Sequence, residues 1–407
     1  MKKMVLELFT RFFIVIFALV LVLSTGEVFA QKRSPKQILF GATVCMTGHF
    51  APEVRTFKRL MDTWTQMVNE KGGIYVKEYS KRIPIKFIVY DDKSDESTAK
   101  RFYERLATVD KVDLMFGPYA SPLTFASSTA AENNKIPFLA ICANSPKVYD
   151  RGFQWIACVI DAAGRYTYRY WEMLKSEGLA KSVSFVVEDT LHPLGVYKGG
   201  TPLAEKAGLK ILSGDIAPAA TRDFTSIITK IKSLDPDIVY VSSNIPLAIT
   251  FMKQAKELDL NPREFQCIHH GGEFKEALGK DANYVLGQSY WTHGMKYGDP
   301  DRFVELIKRS KVDLDEYPWA PAYMMAFEIV EQAIERAGTL EKATVMEFLK
   351  KGRFMTIGGE AYFAPNGVGS INAYPSQIQN GKYFIVYPPE TAPAKHIYPT
   401  PKWTERK

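Results

Sequence analysis

The segment Ile38-Leu39-Phe40-Gly41-Ala42-Thr43-Val44-Cys45-Met46-Thr47-Gly48 is an apolar run of strand length that stops at a Thr-Gly turn. Beyond it Phe57, Leu60, Met61, Trp64 and Met67-Val68 recur at helical spacing, until Lys71-Gly72-Gly73-Ile74 ends the pattern. A strand over 83–90, a helix over 97–109, a strand at 114–116, a helix over 124–133 and a strand at 137–142 continue the alternation. Short strands alternating with helices of ten or more residues indicate parallel β-α-β units.

The same pattern restarts after residue 160. Strands are expected at 183–187, 211–216, 238–241 and 265–268, with helices over 196–207, 224–233 and 247–258. The helical stretch 323–337, with Met324, Phe327, Val330 and Ile334 on one face, supplies a return to the first module, and 345–349 extends it. After Gly358-Gly359 the pattern becomes irregular, with one clear strand at 383–387. Pro388, Pro389, Pro393, Pro399 and Pro401 then mark a tail that reads as a surface strap. The fold class is therefore α/β, in two interleaved modules.

At the other end, Lys2, Lys3 and Arg11 precede the apolar run 12–23, and Val28-Phe29-Ala30 follows. A basic head, a short apolar core and a small residue before the cut make a secretory signal peptide over 1–30, cleaved after Ala30. The run is twelve residues long, too short for a bilayer span of ~20. The mature protein is thus expected outside the cytoplasm. The 407 residues carry 52 Lys plus Arg against 45 Asp plus Glu, a net charge of +7. That balance is mild, and with no long basic run it disfavours nucleic acid as the main partner. Cys45, Cys142, Cys158 and Cys267 are widely spaced, without a Cys-x-x-Cys pair. They read as buried free thiols, although an exported chain permits a disulfide.

In open α/β sheets ligands bind beyond the carboxyl ends of the strands, where helix N-termini present free N–H groups. The loops 47–54, 117–124, 142–146 and 189–195 hold those places, with Asn244 and His269-His270. In Gly117-Pro118-Tyr119-Ala120-Ser121-Pro122 the serine stands where a helix N-cap would, with Pro122 at the first helical position. Its hydroxyl either forms part of an anion site or caps its own helix. Cys142-Ala143-Asn144-Ser145-Pro146 repeats the form. Enzyme motifs are lacking: there is no G-x-S-x-G elbow, no H-E-x-x-H and no P-loop lysine. Neither a catalytic group, a metal nor a cofactor is expected.

With those residues in view, the chain resembles the periplasmic leucine/isoleucine/valine-binding branch of the solute-binding proteins that serve ABC importers. The resemblance is carried by 38–50, Val68-Asn69-Glu70-Lys71-Gly72-Gly73-Ile74, Val89-Tyr90-Asp91-Asp92, 116–124, 136–146, Asp223-Phe224-Thr225 and the strand at 237–240. It implies two Rossmann-like lobes of parallel sheets flanked by helices, joined by three hinge crossovers near 158–161, 287–291 and 357–363. Lobe 1 would comprise 31–158 with 291–357, and lobe 2 would comprise 159–290 with 358–407. It also implies a periplasmic monomer that closes on one small molecule and docks on an inner-membrane ABC permease. The alternative is a sensor subunit of the same fold that presents its ligand state to a membrane receptor.

Residue by residue, the resemblance places the carboxylate-holding serine at Ser121 and the next strand-end hydroxyl at Asn144. Cys142 falls where a backbone carbonyl meets a ligand amine. The cleft loops bring Ala120, Thr47, His192, Asn244, His269 and an aromatic position at Trp319 to the ligand. Amino-acid binders of the branch place an acidic residue where His269-His270 stands, and an unpaired buried ammonium is strongly disfavoured. The ligand is therefore expected to be a small carboxylate-containing solute, either of the branched-chain amino-acid type or an aromatic or aliphatic acid that lacks the amine.

Overall fold

The computed structural model describes residues 33–293, 295–314 and 317–406. The signal-peptide reading and its cut after Ala30 lie outside the described residues. Two sheets organise the chain. The first holds β1 (Ile38–Val44), β2 (Ile85–Asp91), β3 (Leu114–Phe116), β4 (Phe138–Ala140) and β5 (Ile156–Cys158), in the order β2-β1-β3-β4-β5 and parallel throughout. The second holds β6 (Ser182–Glu188), β7 (Lys210–Ala217), β8 (Ile238–Ser242), β9 (Glu264–Cys267), β10 (Leu286–Ser289), β11 (Tyr374–Gln379) and β12 (Lys382–Ile385). Its order is β12-β11-β10-β9-β8-β6-β7, parallel from β7 to β10 and antiparallel from β10 to β12. These are the two lobes of an α/β protein. In each sheet the first strand is flanked by the second and third, so each lobe has one point where the winding reverses, between β1 and β3 and between β6 and β8.

The central strands are apolar along their whole length because helices cover both faces. All five residues of β8 are buried, as are six of the seven in β1. Helix Phe57–Glu70 turns its Phe57, Leu60, Met61, Trp64, Met67 and Val68 stripe inward. Three residues past its end the chain turns at Gly73, with φ 102°, where a Cβ would lie 1.9 Å from the carbonyl oxygen of Ile83. Helix Ala320–Ala337 returns the chain to the first lobe. Phe327 stacks on Trp64 at 4.4 Å, and Arg309 of helix Pro300–Ser310 pairs with Glu70. The chain crosses between lobes after β5, after β10 and before β11. The first and third crossings run side by side, joined by Cys158 N–H to Gly367 O at 2.8 Å and Asp161 N–H to Ile371 O at 2.9 Å.

Several local readings are corrected. The segment 189–195 is not a loop, since helix Leu191–Lys206 begins within it. Pro193 is tolerated in the first turn, where its missing N–H has no helical partner. Within that helix Gly199 marks a close approach: a Cβ there would lie 2.1 Å from the Cα of Gly164. Ser121 does not cap its helix. Ala120 is the N-cap, its carbonyl accepting the Thr124 N–H at 3.0 Å, while Ser121 Oγ accepts the Ser145 N–H at 3.2 Å. The irregular region holds the hairpin β11-β12 rather than one strand. Helices Tyr168–Glu177, Gly272–Leu278 and Pro300–Ser310 went unread. The four cysteines are free, three of them buried. Among the described residues no helix is long and apolar enough to cross a membrane.

The Pro-rich tail lies on the second lobe. Thr400 N–H donates to Arg263 O at 2.7 Å, Trp403 Nε1 to Leu260 O at 2.7 Å, and Ile397 N–H to Gln377 Oε1 at 3.0 Å. His396 lies between Glu177 Oε2 at 2.7 Å and Glu264 Oε2 at 2.6 Å.

Candidate functional site

Both winding reversals face the same gap. The residues after β1 and β3 meet those after β6 and β8, so helix N-termini from the two lobes converge there. This is where open α/β sheets hold ligands. A cavity of about 20 Å³ occupies the gap, little more than one water needs. The first lobe contributes Tyr119, Ala120 and Cys142, together with Trp319 at the start of the returning helix. From the second come His192, Asn244 and His269. Ile160, Tyr166 and Tyr290 close it near the crossings. A larger cavity of about 70 Å³ beside Ser289, Trp291 and Tyr383 lies off the convergence of helix N-termini.

Of the residues expected at the ligand, Ala120, Cys142, His192, Asn244, His269 and Trp319 line this cavity. Ser121 and Asn144 lie fully buried just behind it, bonded to protein partners. Thr47 is exposed and stands apart, its hydroxyl 3.3 Å from Asp91 Oδ2.

Across the cleft the lobes hold each other by polar contacts. Asn144 Nδ2 donates to Asp161 O at 2.6 Å, and its Oδ1 lies 2.7 Å from His192 Nδ1. Glu53, fully buried in the short helix Ala51–Val54, accepts the Ile245 N–H at 3.0 Å through Oε1. A carboxyl of the first lobe thus caps the first turn of helix Ile245–Glu257 in the second. Glu53 Oε2 has no hydrogen-bond partner, and Trp319 Nε1 donates to the Glu53 carbonyl at 2.8 Å. His49 Nε2 reaches Glu188 Oε1 at 3.4 Å. On the rim Arg55 pairs with Glu273 at 3.3 Å.

Two acidic groups therefore flank the cavity, in opposite states. Burial holds the Glu53 carboxyl well above the usual carboxylate range, aided by repulsion from Glu188. Burial also pushes on Glu188, but hydrogen bonds from His49 and Asn244 outweigh it and keep the group below its ordinary value. Both Glu188 oxygens are occupied: Oε2 accepts the Asn244 N–H at 2.8 Å, and Oε1 accepts Asn244 Nδ2 at 2.7 Å and Thr190 Oγ1 at 3.2 Å. Burial lowers His192 to about 4 despite the nearby Glu188 carboxylate. It also lowers His269 well below the usual range, with His192 and His270 adding to the shift. The His192 and His269 rings lie parallel within 8°, their centroids 5.4 Å apart. The cavity wall is thus largely aromatic, its two imidazoles held neutral by burial. Of the four oxygens on the two carboxyls only Glu53 Oε2 is left without a partner, and burial favours the neutral form of that carboxyl.

Glu53, Glu188, Tyr119, Tyr166 and Tyr290 escaped the sequence reading. Glu188 ends an apolar strand, a signal that could have found it. Tyr166 and Tyr290 sit beside crossings and carry no local signal.

A family model for periplasmic binding proteins matches residues 37–382. The chain is 21% identical over 362 residues to a Leu/Ile/Val-binding protein homolog of Brucella abortus, covering 82% of this chain and 87% of the relative. Among solved structures it is similar to a leucine-binding protein of Thermotoga maritima, with TM-score 0.74, 18% identity and coverage of 85% of this chain and 97% of the other. It is also similar to an ABC-transporter solute-binding protein of R. palustris in complex with 4-hydroxybenzoate, with TM-score 0.72, 18% identity and coverage of 85% and 95%. With two α/β lobes facing each other across a cavity at both winding reversals, and a family match spanning nearly all of the described chain, this protein belongs to the periplasmic binding proteins, which capture solutes for ABC transporters rather than transform them.

Proposed function

We propose that the protein captures a small organic acid without an α-amine in the interlobe cavity and delivers it to an inner-membrane ABC permease. Export by cleavage after Ala30 and action as a monomer belong to the same reading. The carrying observation is the charge inventory of the cavity. Helices Ser121–Asn134 and Leu191–Lys206 bring their N-termini to it, which favours an anion, whereas the first N–H groups of helix Ile245–Glu257 are already taken by Glu53 and Glu188. Of the nearby carboxyls, burial pushes Glu53 towards its neutral form and Glu188 is fully hydrogen-bonded. Ala120, Cys142, Asn244, His269 and Trp319 would contact the acid, with Ser121 and Asn144 supporting the loops behind them. Relatives named for leucine and for 4-hydroxybenzoate bracket the ligand sizes the fold accommodates.

The test is a thermal-shift screen of protein refolded to remove carried ligand, against branched-chain amino acids, their amine-free acids, and aromatic acids. An acid at one hundred times its dissociation constant stabilises by about 2.7 kcal/mol, and at least one amine-free acid is expected to do so. Stabilisation by leucine, isoleucine or valine alone would overturn the reading.

A further inference from the structure

The cavity contains one polar atom whose role is fixed before any ligand arrives. The Asp161 carbonyl accepts only, so the Asn144 atom 2.6 Å from it is the amide nitrogen, and the amide oxygen faces His192. That oxygen also accepts only. His192 Nδ1, 2.7 Å away, must then carry the ring proton. His192 is neutral at physiological pH, because burial lowers it to about 4, so Nε2 is a bare acceptor. It is buried without a hydrogen-bond partner on a residue that lines the cavity, and the side chain is only 7% exposed. Tyr290 Oη and His269 Nδ1 are also unpartnered there, but a hydroxyl rotates to donate or accept and no hydrogen bond fixes the His269 tautomer. Only at His192 does a chain of two hydrogen bonds fix which role the free atom plays.

We propose that His192 Nε2 is a specificity-determining acceptor, and that the bound acid carries a hydroxyl that donates to it. Asn144 and the Asp161 carbonyl are its positioning groups. The inference rests on the organic-acid reading above and narrows it to hydroxy acids. An acid lacking the hydroxyl leaves the acceptor buried and unpaired, which a site built around a hydrogen bond rejects strongly. An ammonium is the other N–H or O–H donor of suitable size. With both Glu188 oxygens occupied and burial favouring the neutral form of Glu53, no standing counter-charge awaits an ammonium, which favours the hydroxyl.

Two matched series separate these cases by calorimetry: benzoate against 4-hydroxybenzoate, and 4-methylpentanoate against 2-hydroxy-4-methylpentanoate and leucine. The wild type is expected to bind a hydroxylated member at least ~10-fold tighter than its parent acid. His192→Phe, which keeps the ring and removes the acceptor, is expected to bind the pair equally, at the parent's affinity. Equal binding of each pair by the wild type, or a preference that survives in His192→Phe, overturns the role of His192 and leaves the organic-acid reading standing. Leucine as the tightest ligand, or no binding in either series, overturns that reading and this inference with it. If His192→Phe does not fold, nitrogen NMR of the wild type decides. A ring protonated on Nδ1, with an Nε2 resonance that moves with a hydroxylated acid and not with its parent, is the expected result. A ring protonated on Nε2 in the free protein overturns the proposal.

Discussion

Glu53 shows what a single residue does in this cleft and how little of it is visible locally. Its neighbours Ala51, Pro52 and Val54 give no hint that its carboxyl caps a helix 192 positions away. In the unfolded chain it ionises near 4.5, whereas burial keeps it protonated to higher pH in the folded protein. The folded state therefore holds a proton that the unfolded state has released, and stability falls as pH rises from 4.5 towards the folded value. Glu53→Gln keeps an acceptor for the Ile245 N–H and removes the titration. Calorimetric melting should show the Tm of Glu53→Gln gaining steadily on the wild type between pH 4 and pH 8. A constant difference across that range would mean that Glu53 is ionised in the folded protein. Ser121 makes the same point in reverse: its sequence position suits an N-cap, but the competing Ser145 N–H is supplied by tertiary structure and takes the hydroxyl.

At the scale of elements, strands and amphipathic helices were legible wherever burial follows a regular period, as in β1, β8 and helix Phe57–Glu70. Reading failed where an element's reason lies in its neighbour. The glycines of helix Leu191–Lys206 break a propensity rule because that helix meets the turn at Gly164 almost backbone to backbone. The tail is another such element, a chain without regular structure held by side chains. His396, its ring 2% exposed, sits between Glu177 and the fully buried Glu264. Burial alone would lower it, but the two carboxylates outweigh burial and raise it to about 10. Its contribution is fully present below the unfolded value near 6.5 and is lost as pH rises towards 10. His396→Ala should cost about 3 kcal/mol at pH 6, because it leaves Glu264 buried without its cation. The loss should shrink at pH 9.5, with urea unfolding at both values as the measurement. An equal loss at both would show that the ring acts by packing alone.

For the whole molecule, the decisive quantity is how the lobes meet. The cavity is too small for a substituted benzoate, so the lobes must part to admit a ligand and then close around it, with the Asn144–His192 bond in place in the closed form. Closure is then a population shift set by how much better the ligand suits the closed form. The exposed pair Arg55–Glu273 spans the rim and favours that form only modestly. Arg55→Glu should weaken ligand binding about two- to fivefold, and adding Glu273→Arg should restore it; titration calorimetry of the single and double variants checks both. An affinity unchanged by reversal would show that the pair is broken in the closed complex.

The sequence by itself determined the fold class and the strand-end loops around the cavity, because these follow from local periodicity and from the place of each loop after its strand, while the family resemblance picked out individual residues such as Trp319. Only the tertiary structure decided the chemistry. Whether a carboxyl is charged or a ring nitrogen is free depends on burial and on partners far away in the chain: Ile245 for Glu53, Asn144 for His192, and His49 and Asn244 for Glu188.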